Sequence, residues 1–278
     1  MQSEEFKKQI REAVKQTEMI PRIAPVAFMS SVPRVEKKSE LFVVKGIPKV
    51  TVDAKSCSVT VKGWDKSEVQ YRVVQFSDPR HPDSLKITDE HSDGAVNIRV
   101  QDPDTGTPRA EFFDGVRNTR IEVYVPRKSN LKITADGDIR LEGVSGDVEL
   151  NGGDESINVR DVDGKMHVSS SDGRIRVIGF KGDIVAESSD GMINLEGDFS
   201  GLSARADGGA VTLTLPEGLH ANLDATCSEI RGEGVPVTRT GGDEKLSHYR
   251  IGNGGPLFRV ETNGEIRVRG SNLLIAGM

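Results

Sequence analysis

Gly137-Asp-Ile-Arg-Leu-Glu-Gly-Val-Ser-Gly-Asp-Val-Glu-Leu-Asn-Gly-Gly-Asp154 is two nine-residue units, each a glycine turn followed by an apolar-x-apolar run. Alternation with period two marks a strand, and glycine supplies the bend that a corner needs. Writing residues 137–213 in rows of 18 carries the pattern onward. Ile139, Ile157, Ile175, Ile193 and Val211 fall in one column, and Leu141, Val159, Val177, Leu195 and Leu213 in a second. Val144, Val162 and Phe180 form a third, with Phe199 one residue late; Val148, Met166, Ile184 and Leu202 form a fourth, and Gly146, Gly164 and Gly182 a fifth. A chain that repeats strand and corner at a fixed interval sets each strand beside its counterpart in the next row, in parallel register. The expected fold class is therefore all-β: a parallel β-solenoid with 18-residue coils made of two nonapeptide half-coils, preceded by a strand-rich lead-in and a short N-terminal helix. At about 4.8 Å per coil, five coils would make a rod roughly 20–25 Å long. Apolar offsets of 0, 2, 5, 9 and 11 within a row do not fit a hexapeptide helix.

N-terminal to the repeat the period is still two. Leu41-Phe-Val-Val, Val50-Thr-Val-Asp, Val59-Thr-Val, Val69-Gln-Tyr-Arg-Val-Val, Ala95 to Gln101 and Thr119 to Val125 are β-branched-rich runs separated by turn signals, with proline-rich loops between Phe76 and Ala110. Before Glu40, Phe6, Ile10, Ala13 and Val14 recur at helical spacing behind Ser3, and Pro21, Pro25 and Pro33 then enforce an extended arm. This gives an N-terminal helix and arm over 1–39, a strand lead-in over 40–125 and the repeat region over 126–278, continuous with the lead-in. Beyond the repeat, Gly232 to Gly255 is a glycine-rich excursion expected to be mobile, and Leu257 to Val268 returns to the pattern.

Composition narrows the function. A net charge of −6 and pI near 5.5 argue against a general nucleic-acid binder, so none is expected as a partner. No stretch approaches 18 apolar residues and Met-Gln-Ser-Glu-Glu carries no apolar signal core, so neither a membrane span nor a secretion signal is expected in this chain. Cys57 and Cys227 are too few for a disulfide framework or a four-thiolate zinc site. His81, His91, His167, His220 and His248 show no HxH or HExxH spacing. The Ser169 to Gly173 and Ser188 to Gly191 runs are polar corners, not nucleophile elbows, and the glycine turns lack the lysine and helix of a phosphate loop. No catalytic residue, cofactor or metal site is expected.

Two features invite a binding role. Asp136, Asp154, Asp172 and Asp190 recur at one corner, where stacked carboxylates would repel unless a calcium ion bridged them. Asp-Gly is equally the residue pair of a tight corner, the aspartate capping its own turn and the glycine taking positive φ. Arg140, Asn158, Arg176, Asn194 and Thr212 form an outward file, with Glu142, Arg160, Ile178 and Glu196 beside it. Such a strip can bind glycans, but the aromatic platforms usual at glycan sites are not expected in an outward column.

The run Ile121 to Leu150, with Ser58 to Val69 before it and Gly255 to Ile266 after it, resembles the bacterial putative-adhesin family, β-strand-repeat proteins of unknown function. The resemblance covers about residues 40–270. It implies a parallel β-solenoid that is often exported or membrane-tethered, with no established catalytic residues. The expected function is a non-enzymatic interaction module of the cell envelope, with an unknown protein or glycan partner. One alternative is an intracellular or membrane-associated scaffold recruiting a partner through residues 1–39; another is a glycan-acting β-helix enzyme.

Overall fold

The computed structural model describes residues 34–54, 57–77, 86–101, 119–243 and 245–271. All belong to one compact unit, Pro33–Met278. The expected N-terminal helix, the prolines of the arm, His81 and the prolines at 79, 82, 103 and 108 lie outside the described residues.

Every element among the described residues is a strand. The lead-in supplies β1 (Arg34–Val43), β2 (Lys49–Ala54), β3 (Ser58–Trp64), β4 (Glu68–Ser77), β5 (Lys86–Ser92), β6 (Ala95–Gln101) and β7 (Thr119–Pro126). The repeat supplies β8 (Asn130–Ala135), β9 (Ile139–Glu142), β10 (Ser145–Gly152), β11 (Ile157–Arg160), β12 (Asp163–Ser170), β13 (Ile175–Ser188), β14 (Ile193–Ala206) and β15 (Val211–Pro216). Then follow β16 (Ala221–Thr226), β17 (Glu229–Glu233), β18 (Val237–Gly242), β19 (Ser247–Ile251), β20 (Leu257–Thr262) and β21 (Glu265–Ser271).

Two ladders can be traced. One runs β5-β6-β2-β8-β10-β12-β13-β14-β20-β16-β19-β18, the other β1-β4-β7-β3-β9-β11-β13-β14-β15-β21-β17. The columns of the repeat stand side by side: Ile157 pairs with Ile139 and Ile175, Ile193 with Ile175 and Val211, and Val148 with Met166, all in parallel. Residues of these columns turn inward, so Ile139, Ile157, Ile175, Ile193 and Val211 are fully buried, each contributing roughly 1.5–3 kcal/mol of transfer free energy. Phe180, Phe199 and Phe258 complete an aromatic layer, with ring centroids 6.0 and 6.2 Å apart along the series.

The expected fold class needs correction. The described residues are not a parallel solenoid; their strands form one mixed 21-stranded sheet, rolled about its apolar face into a nearly closed barrel shape. Three physical features defeat the simpler picture. β13 and β14, 14 residues each, run through positions expected to be corners and belong to both ladders, turning by register shifts between Val177 and Phe180 and between Gly182 and Asp183. Antiparallel partners, β1 with β4, β4 with β7, β5 with β6 and β19 with both β16 and β18, reverse the chain, which a one-way winding does not allow. Finally, spatial order departs from chain order: β2 and β3 lie between the β6–β7 and β8–β9 levels, and β20 and β21 lie between β14–β15 and β16–β17. A periodicity records which residues are neighbours but not which level is inserted where. The Gly232 to Gly255 excursion holds the antiparallel pair β18 and β19.

The glycines divide by cause. Gly182 sits at φ +125, and a Cβ there would collide with the Gly164 carbonyl oxygen of the next level. At the Asp-Gly corners the expected positive φ is not found; Gly191 is required because a Cβ would strike the Gly173 carbonyl oxygen. Ser188 finishes that corner, its buried Oγ accepting from the Gly191 N–H at 3.0 Å.

Candidate functional site

Strand alternation decides what the outer faces offer, because each residue between two buried ones must point outward. On the ladder containing β3, β9, β11 and β13, the register places Thr60 beside Arg140, Arg140 beside Asn158, and Asn158 beside Arg176. The file expected from the repeat is thus assembled, continuing through Asn194 to Thr212, and Lys62, Glu142, Arg160 and Ile178 form a second file alongside. The first file from Thr60 to Arg176 and the second from Lys62 to Ile178, with Arg120 and Glu122 of β7, line an open groove of about 490 Å³.

The charges in this groove are unbalanced. Lys62, Arg120, Arg140, Arg160 and Arg176 face only Glu122 and Glu142. Arg140 reaches Asp138 at 3.7 Å, whereas Lys62, Arg120, Arg160 and Arg176 make no ion pair with another described residue. Elsewhere on the surface several exposed charges are paired. Lys132 donates to Glu149 at 2.9 Å, Arg231 and Arg267 fork onto Glu229 and Glu265, and Arg269 meets Glu233 at 2.7 Å. The Arg267 guanidinium beside Glu265 holds that carboxyl below the usual carboxylate range. Cations left together without counter-charges repel one another and favour an anion laid across them.

One aromatic feature of this face escaped the sequence. Tyr124 of β7 pairs with Lys62, placing it in the outward file, and the Trp64 ring lies 5.3 Å from it. The Trp64 indole N–H donates to the Glu68 carbonyl at 2.7 Å and the Lys66 ammonium sits 4.6 Å over the ring, so the orientation of the pair is fixed from behind. The outward columns were expected to lack aromatics because the 18-residue rows stop short of β3 and β7; only the lateral pairing of these strands carries Tyr124 to the end of the file.

A second groove, about 840 Å³, crosses β8, β10, β12, β13 and β14 on the other ladder. Its floor is Leu131, Val148, Met166, Ile184 and Leu202, and along its wall Asp147, Lys165 and Asp183 alternate in sign. It has apolar depth but no single charge to recruit a ligand.

The remaining candidates are dispersed. Asp136, Asp154, Asp172 and Asp190 are all exposed at their corner. Among the described residues no group of three or more His, Cys, Asp and Glu is placed to hold a metal ion. The four described histidines take separate local partners: His91 stacks on Phe42, His167 lies 3.6 Å from Glu187, His220 accepts from the Asn253 N–H, and His248 meets Asp224 at 2.6 Å. Cys57 is buried, and burial pushes the half-buried Cys227 thiol above its ordinary value, away from nucleophilic thiolate. Among the described residues no helix is long and apolar enough to cross a membrane.

No protein-family profile matches the chain, and no curated protein matches it. Among solved structures, a putative adhesin from Bacteroides fragilis is similar at 11% identity and a TM-score of 0.43, covering 86% of this chain and 99% of its own. A putative cell adhesion protein from Clostridium sporogenes is similar at 12% identity and a TM-score of 0.36, covering 85% and 100%. Both are named for adhesion. A third, from Parabacteroides distasonis, is named a putative lipid binding protein, at 10% identity and a TM-score of 0.32, covering 84% and 96%. The adhesin name carried by the first of these structures is that of the family the sequence resembles.

Proposed function

We propose that this protein is a non-enzymatic binding module of the adhesin type, associated with the cell envelope, which engages its partner through the arginine-lined groove. The observation that carries this is the gathering of Lys62, Arg120, Arg160 and Arg176, none of them ion-paired with another described residue, on neighbouring strands in one groove. A rigid sheet costs little entropy when it binds, and a groove open along the ladder admits an extended partner. The test is binding of the purified full chain to isolated envelopes of the native host and of neighbouring cells. Exchanging Arg140 and Arg176 for Ala should reduce retention at least tenfold with the thermal midpoint little changed, since both side chains are exposed. Equal retention, or turnover of a bound polymer into shorter fragments, would overturn the reading.

A further inference from the structure

Resting on that reading, we propose that the occupant of the groove is an acidic polysaccharide, its carboxylate or sulfate groups on the arginines and one sugar ring against Tyr124 and Trp64. The spacing of charge is the first support. In the file Arg140, Asn158, Arg176 and Asn194, cations recur at every second strand, about 9.5 Å apart, with an amide between them. A nucleic-acid strand carries a charge about every 3.4 Å, far denser than this file. A polyuronate, with one acid on each sugar ring, can set alternate acids on the arginines and present its hydroxyls and the intervening acid to the amide between them.

The carboxylates give the second support. Glu122 and Glu142 stand inside the cationic groove. They would repel a polyanion of uniform phosphate density, yet they accept hydrogen bonds from sugar hydroxyls lying between acid groups. The third support is the Tyr124 and Trp64 pair on β7 and β3, an orientated aromatic surface contiguous with Lys62. An aromatic face beside a cation suits the apolar C–H side of a pyranose ring whose acid group turns toward the lysine.

Calorimetric titration of the full chain with polygalacturonate tests this, alongside methyl-esterified polygalacturonate and inorganic polyphosphate. Polygalacturonate should bind, weaken with rising salt, and weaken at least tenfold in the chain carrying Arg140→Ala and Arg176→Ala; Tyr124→Ala should weaken it several-fold, and the esterified polymer should bind at least tenfold less tightly. Esterified polymer binding as well as the acid would overturn the choice of acidic sugar. So would polyphosphate binding more tightly than polygalacturonate with no effect of Tyr124→Ala, which describes a plain cationic patch. If no acidic polysaccharide binds while envelope retention is still lost in the double arginine variant, this inference fails and the binding-module reading stands. If the double variant changes neither assay, both fail.

Discussion

Glu149 on β10 accepts from the Lys132 ammonium at 2.9 Å and from the Asn151 amide at 3.1 Å, and these bonds hold its carboxyl below the ordinary value of 4.5. A carboxyl whose folded value is depressed favours the folded state above its unfolded value, and the contribution disappears as pH falls through the folded one. Both side chains are nearly half exposed, so water screens the pair and the contribution is small. The thermal midpoint of the wild-type chain should exceed that of Glu149→Gln at about pH 6, and the gap should close as the pH drops below about 4.5 toward 3. A gap constant across that range would show that the ion pair does not set the difference. The same chemistry clarifies the groove: Arg160 and Arg176 make no ion pair of the kind Lys132 makes with Glu149, although each sits on the same kind of outward strand position and Glu142 is the lateral neighbour of Arg160.

At the scale of elements, β13 joins the two ladders through its register shifts, and Phe180 sits there, fully buried and stacked on Phe199 of β14, which meets Phe258 of β20 edge-on. Phe180→Ala should therefore cost about 3–5 kcal/mol, read as a lowered midpoint in denaturant unfolding. A loss under about 1 kcal/mol would mean that the layer is not what holds the ladders together. Phe180 and Phe199 were legible as core because they fall in or beside a repeat column; Phe258 follows an aperiodic excursion, and no column leads to it. The outward file from Arg140 to Thr212 was legible for the same reason, since an 18-residue offset is itself the lateral neighbour relation. The bends of β13 and β14 were not, because a bulge preserves the alternation on either side and shows only as one residue of slippage, the late Phe199. The partnership of Tyr124 with Lys62 was illegible for a different reason: its separation of 62 residues spans β4, β5 and β6, and no period connects the two.

For the whole molecule, the consequence lies in the order of levels. β20 is hydrogen-bonded to β14 on one side and β16 on the other, and β21 to β15 and β17, so the last described strands lie inside the sheet, not at its end. Among the described strands the edges are instead β1 and β5 at one end and β17 and β18 at the other. A chain wound level by level would lose only its outermost level on C-terminal truncation and keep a trimmed fold. In this arrangement, ending the chain after Gly255 removes β20 from between Leu202–Ala206 and Ala221–Thr226 and β21 from between Val211–Pro216 and Glu229–Glu233, opening four unpaired strand edges inside the sheet. It also uncovers the apolar faces that Phe258, Val260, Ile266 and Val268 seal. Closing the gap would require β16 and β17 to move by one level onto β14 and β15, against the register of the whole far end. The truncated chain should lose cooperative thermal unfolding and associate through its open edges, seen as higher-order species in size-exclusion chromatography. A monomer that unfolds cooperatively within a few degrees of the full chain would show instead that the far end can slide inward and that its levels are interchangeable.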